Sequence, residues 1–403
     1  MDRELITGGN FSGRSAALRR RLQRNGGQSF FLGPYAEAAL SGLSSTVTDE
    51  IAVYARDARR AAFAPLDWSG FGRRKPATLS GGEQVLLALH CFSRSAYETI
   101  GIDTALEQLD AQNRAAALDY LGGAESGQRV VLIDNRLDPA APAPPWSRRE
   151  AADGPDPADA AETATAAARY ACDLAGIISE LRPRTAPAIA LRGVDFAYGS
   201  DRPIFRALNL ALEPGRAYRL IGRNGAGKTT FFKLLVGVLA PACGTILLDG
   251  AAYRPRASGN RAFALATQNP DHQWCGATLA EDIARRRRAL AGRGDVMPPS
   301  DALLGSLARK LGVRASDQHL YELPLAARKR LSWLWPFSGA MPWIMLDEPT
   351  VGQDRDTSAG LAAIVSHLCA IGYGIMVVTH DEEFAGRIAH SPLRIEGMTV
   401  QPE

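Results

Sequence analysis

The run Gly222-Arg223-Asn224-Gly225-Ala226-Gly227-Lys228-Thr229 constrains the fold more than any other feature of this 403-residue chain. It fits GxxxxGK(S/T) without a mismatch. It follows RAYRLIG (216–222), which reads as a buried strand, and enters TTFFKLLVGVLA (229–240), which has helical spacing. A glycine-rich turn from strand into helix gathers backbone N–H groups around an anion, and the helix dipole adds to their pull. Lys228 then neutralises the β- and γ-phosphates of a bound nucleotide, and the Thr229 hydroxyl is placed for Mg²⁺. Gly222, Asn224, Gly225, Gly227, Lys228, Thr229 and Thr230 are therefore the expected nucleotide-binding residues.

ALRGVDFAYG (190–199) alternates like a strand, TILLDG (245–250) reads as another, and PWIMLDEP (342–349) and YGIMVVTHD (373–381) are apolar strands ending in polar residues. Strands alternating with helices predict a largely parallel α/β sheet whose ligands sit at the strands' carboxyl ends. The segment Ile344-Met345-Leu346-Asp347-Glu348 brings two carboxylates to such an end. Asp347 is placed for the Mg²⁺ shell, and Glu348 can polarise a water for attack on the γ-phosphate.

Composition narrows the partners. With 46 basic and 43 acidic residues the net charge is +3, which gives no reason to expect nucleic acid. The five cysteines contain no CxxC pair, so neither a disulfide framework nor a zinc site is expected, and a reducing cytosol suits them. The opening MDRELITGG has no apolar signal core, and no apolar run approaches the ~18 residues needed to span a bilayer.

Residues 138–187 are rich in Ala, Pro and Asp, with helical spacing across 160–181, and read as a linker. The same order of landmarks occurs on both sides of it, so an internal repeat is expected. The expected domains are 1–137, the linker 138–187, and 188–403.

Four further features name the reaction. Leu79-Ser80-Gly81-Gly82-Glu83 precedes a helical run, Asp347-Glu348-Pro349-Thr350 leads to Gly352-Gln353-Asp354, His380 ends a strand, and Gln268 lies in TQNPDHQ. Together they resemble the ATP-binding cassette (ABC) ATPases: a signature motif, a Walker B strand with D-loop, a switch histidine and a Q-loop. The resemblance implies a P-loop NTPase with tandem ABC domains, each a RecA-like α/β core plus a helical subdomain. It also implies roles. Tyr198 would stack on adenine, Gln268 would contact the metal or water, His380 would hold the γ-phosphate, and Ser80, Gly81 and Gly82 would face it from the signature. QNPDHQWCGATLAEDIA (268–284) is similar to the Q-loop region of the energy-coupling factor (ECF) ATPases, which power vitamin and transition-metal uptake. LSGLSSTVTDEIA (40–52) is similar to the same region.

The first half departs from the pattern. Gly8-Gly9-Asn10-Phe11-Ser12-Gly13-Arg14-Ser15 keeps the loop spacing, but Arg14 stands where lysine is expected. Asp103 keeps the metal carboxylate, yet Thr104 occupies the position of the base. The switch residue is Asn135, or Asp134 with a one-residue shift, and the adenine-holding strands have no room ahead of Gly8. A shortened, degenerate first copy is expected. The second half fails in the complementary place: Leu323-Pro324-Leu325-Ala326-Ala327 replaces the signature, with Cβ atoms where glycines would admit a phosphate. In ABC dimers each ATP lies between the Walker motifs of one domain and the signature of the other. The resemblance thus implies one whole composite site and one degenerate one, formed by pairing of the two domains within the chain, with dimerisation of chains as the other arrangement. It further implies ATP and Mg²⁺ as cofactors, multi-spanning membrane subunits on separate chains as partners, and a peripheral place on the inner face of the cell membrane. A tandem ABC protein acting on ribosomes or DNA is the rival reading.

Overall fold

In the computed structural model, the described residues are 3–7, 14–24, 29–55, 62–123, 128–137, 146–150, 173–183, 185–199, 203–254, 262–291, 299–312, 319–323, 325–338 and 340–403. The glycine run 8–13, Pro324 and most of the expected linker lie outside them. The chain divides into two compact units: Met1–Ala168 with Val351–Asp354, and Arg169–Thr350 with Arg355–Glu403.

The second unit carries two sheets. Strands β6 (Ile189–Ala197), β7 (Pro203–Leu212), β9 (Cys243–Leu248) and β10 (Ala251–Ala252) form an antiparallel sheet in the order β10-β9-β6-β7. Buried and more exposed residues alternate along β7, as expected for a sheet with one face on a core. The larger sheet runs β11 (Phe263–Ala266), β12 (Trp343–Asp347), β13 (Gly374–Val378), β8 (Ala217–Ile221), β14 (His390–Glu396) and β15 (Thr399–Pro402). Its pairs are parallel except β14 with β15. Every residue of β12 and of β13 is buried, the signature of central strands covered on both faces.

The first unit has one parallel sheet: β2 (Ser29–Leu32), β3 (Thr99–Asp103), β4 (Arg129–Ile133), β1 (Arg3–Thr7) and β5 (Ser147–Glu150), in that order. The helix Gly81–Ser93 is buried at every position from Gly82 onward, because the apolar residues of QVLLALHCF surround it. No counterpart of the antiparallel sheet exists among the described residues of this unit.

Three expectations need correction. The helix expected over 229–240 spans Lys228–Leu235, since Gly237 turns the chain at φ 82°. The linker is narrower than 138–187: Ser147–Glu150 pair in parallel with β1. Leu174, Ile177 and Leu181 belong to the core of the second unit. Of the helix expected over 160–181, residues 160–172 lie outside the described residues and Leu174–Ile177 are helical.

One glycine tests the packing at the centre of the larger sheet. A Cβ on Gly374 would sit 2.4 Å from the indole of Trp343, which is fully buried and donates to the Pro187 carbonyl at 2.7 Å. Gly374→Ala is therefore expected to cost ~1–3 kcal/mol by overpacking. The check is the urea unfolding midpoint, and an unchanged midpoint would mean that the indole moves aside freely.

Candidate functional site

The loop between β8 and the helix Lys228–Leu235 needs its glycines for stated reasons. Gly225 has φ 77° and Gly227 φ 106°, and a Cβ on Gly227 would strike Ile204 at 2.6 Å. Only glycine adopts such backbone without strain. Lys228 reaches back over the loop, its Nζ donating to the carbonyls of Gly222 at 2.6 Å and Arg223 at 3.2 Å. The Thr229 hydroxyl donates to Asp347 Oδ2 at 3.0 Å. These two hard oxygen donors suit Mg²⁺, which is usually bound by one or two carboxylates together with substrate phosphates.

Burial and the neighbouring Glu348 push the Asp347 carboxyl up to about 6, against Lys329, the Thr229 hydroxyl and Lys228. Glu348 is 3% exposed and takes a left-handed backbone, φ 46°. Its Oε2 accepts the His380 N–H at 3.2 Å, and its Oε1 lies 3.5 Å from His380 Nε2. Arg219, on β8, donates to Glu382 at 2.8 Å and to the Thr379 carbonyl at 3.3 Å, fixing the strand exit that carries His380. Tyr198 is 43% exposed, and its hydroxyl shares a 3.2 Å hydrogen bond with Thr230. The loop after β11 carries Gln268, whose carbonyl accepts from Lys329 at 2.7 Å. The structure thus brings together Lys228, Thr229, Asp347, Glu348 and His380. Tyr198 joins this group through Thr230, and Gln268 through its backbone and Lys329.

Ser80 lies in the other unit as the N-cap of the helix Gly81–Ser93. Its hydroxyl accepts the Glu83 N–H at 3.4 Å while Glu83 accepts the Ser80 N–H at 2.7 Å, a reciprocal capping box. Gly81 and Gly82 are the first two residues of that helix.

The first unit repeats the local geometry of the second with different chemistry. Asp103 ends β3 as Asp347 ends β12, and the Ser15 side chain hydrogen-bonds it as Thr229 does Asp347. Thr104 takes φ 56°, and its N–H donates to the Ile133 carbonyl at 2.8 Å, as that of Glu348 donates to Val378 at 2.8 Å. Asp103 pairs with Ile133 and Asp347 with Val378, so the residue in register with His380 is Asn135 rather than Asp134. Arg14 donates to Asn135 Oδ1 at 2.9 Å, and Asp134 is held by a two-pronged pair with Arg114. By the same register, Pro34 follows β2 at the position that Gln268 holds after β11.

Glu107 and Lys329 are buried charged groups beside these residues to which the sequence alone assigns no role. Glu107 accepts the Asn135 N–H at 2.8 Å, and burial with Asp134 nearby pushes its carboxyl up to about 7. Lys329 is fully buried, and burial lowers its ammonium to about 8 against the pull of Asp347 and Glu348. Lys329 lies in the basic run Arg328-Lys329-Arg330 of a seven-residue helix that buries Ala327, Lys329, Arg330 and Leu331, and composition does not say which of these cations meets the site.

The sequence profile of the ABC transporter family matches residues 205–351, from the second strand of the antiparallel sheet through the carboxylate strand. A putative ABC transporter ATP-binding protein of Streptomyces coelicolor is 33% identical over 208 residues, covering 50% of this chain and 72% of that protein. The energy-coupling factor transporter ATP-binding protein EcfA of Methanothermobacter thermautotrophicus is 29% identical over 209 residues, 50% of this chain and 65% of that one. A putative HMP/thiamine import ATP-binding protein of Bacillus subtilis is 24% identical over 360 residues, 79% of this chain and 64% of that one. Among curated relatives the chain spans as little as 32% of the relative's length, and less than two thirds of it in the archaeal and Bacillus cases. The complete nucleotide loop, the carboxylate strand and these likenesses converge: the chain belongs to the ABC transporter ATP-binding protein family, the ABC ATPases.

Proposed function

We propose that this chain is the ATP-hydrolysing subunit of an ABC transporter of ECF type, importing a vitamin or a metal ion. The observation that carries the reading is the Thr229–Asp347 pair at 3.0 Å under the glycine loop, with Glu348 next in the chain and against His380. Lys228 and the loop N–H groups bind the phosphates. Thr229 and Asp347 would hold Mg²⁺, which when bound neutralises phosphate charge, and Gln268 would approach the same ion. Glu348 takes the proton of the attacking water, His380 steadies the γ-phosphate, and Tyr198 offers its exposed ring to adenine. The sequence 268–284 and the archaeal relative support the ECF assignment.

The first unit is, in this reading, a shortened and degenerate copy of the second. The matching sheet orders and the Thr104 and Asn135 positions support this. The intact Ser80-Gly81-Gly82 of one copy and the intact Walker residues of the other make one catalytic site, while Arg14, Thr104 and the altered 323–327 leave the other without turnover. No helix among the described residues is long and apolar enough to cross a membrane. In this reading a multi-spanning subunit on a separate chain crosses the membrane, and this chain sits on the inner membrane face beside it.

The purified chain is expected to hydrolyse ATP slowly with Mg²⁺ and to ignore DNA and RNA at physiological salt. Pull-down from solubilised membranes recovers a polytopic protein. Recovery of ribosomes instead would overturn the transporter reading.

A further inference from the structure

We propose that Lys329 is a positioning residue that clamps the Q-loop to the end of the carboxylate strand. β11 and β12 pair in parallel up to Ala266 and Leu346. Beyond that point the Lys329 ammonium takes over. Its Nζ donates to the carbonyls of Thr267 at 2.9 Å, Gln268 at 2.7 Å and Asp347 at 3.2 Å. An ammonium has three N–H donors and no acceptor, so three converging main-chain oxygens use it fully. The residues so joined are Gln268 and Asp347, the two proposed to face the same metal.

The first unit shows that the fold does not require this cation. Leu79 and Leu323 start matching segments, and six residues on stand Val85 and Lys329, each the fifth residue of its helix. Val85 is as completely buried as Lys329 and offers no donor. In that unit Pro34 replaces Gln268 and Thr104 replaces Glu348. A buried lysine, costly to desolvate, thus stands at this helix position in the unit that carries Gln268 and Glu348, and a valine stands there in the unit that carries Pro34 and Thr104.

The inference rests on the proposed ATPase reading and is tested apart from it. Lys329→Met keeps the length and apolar stem of the side chain and removes all three donors; Lys329→Val copies the first unit. Each is expected to speed hydrogen–deuterium exchange in peptides covering 266–270 at least tenfold, leaving exchange in the helix Lys228–Leu235 unchanged. Half-saturating Mg²⁺ rises at least tenfold and kcat falls at least tenfold, while binding of a fluorescent ATP analogue in EDTA stays within twofold. Unaltered exchange and Mg²⁺ dependence in both variants would overturn the clamp. So would loss of Mg²⁺-free nucleotide binding in step with kcat in both, the mark of a merely structural residue. A parent chain with no Mg²⁺-dependent turnover would sink the functional reading, and the exchange measurement would still decide the clamp.

Discussion

Glu348→Gln is expected to cut steady-state ATP hydrolysis by ~10²–10⁴-fold while ATP binding is retained, because an amide cannot accept the proton of the attacking water. The replacement is nearly isosteric, and its oxygen can still accept the His380 N–H that Glu348 now accepts at 3.2 Å. Thr229 and Asp347 are untouched, so any Mg²⁺ requirement of binding remains. ATP should therefore accumulate unhydrolysed on the protein, measurable as nucleotide retained after rapid gel filtration. A rate within about threefold of the parent would remove Glu348 from the role of base.

The second large effect tests the proposed pairing of distant sequence segments. Lys228→Ala removes the phosphate-neutralising ammonium, and Ser80→Arg fills the space before a helix N-terminus with a bulky side chain. Both are expected to lower turnover by at least ~10²-fold, the scale of a lost anion-stabilising group. Ser80 also caps its helix, so Ser80→Arg sacrifices about 1 kcal/mol of local stability. Ser80→Ala loses the same cap and leaves the space open, and its rate should stay within about tenfold of the parent. Thr104→Ala and Pro324→Ser alter the site without a base and should leave the rate within about twofold. If Ser80→Arg turns over normally while Thr104→Ala does not, the assignment of the competent site is inverted. Native mass measurement separates pairing within one chain from pairing between two.

Much of the second unit was legible because its chemistry is written in contiguous residues. The Gly222–Thr229 loop, the Asp347-Glu348 pair and His380 each sit at a strand's carboxyl end, where an apolar run stops. Composition misled between 138 and 187. Ser147–Glu150 join a sheet through backbone hydrogen bonds, which leave no trace in side-chain character. Leu174 and Ile177 are apolar anchors set among alanines, and they entered the core despite their surroundings. The choice between Asp134 and Asn135 needed strand register, which one chain's sequence does not contain. Lys329 was invisible for a related reason: its partners are carbonyls, and every residue has one.

Thr104 and Glu348 share a left-handed backbone, φ 56° and 46°, although only one of them carries a carboxylate. A β-branched residue is poorly suited to that region, and holding it there costs on the order of 1–3 kcal/mol. The first unit bears this strain without the group that the bend presents in the second. The bend therefore belongs to how the sheet releases its central strand, since both residues give their N–H to the neighbouring strand. In the proposed reading, the base at Glu348 stands on a corner that the sheet builds in either unit.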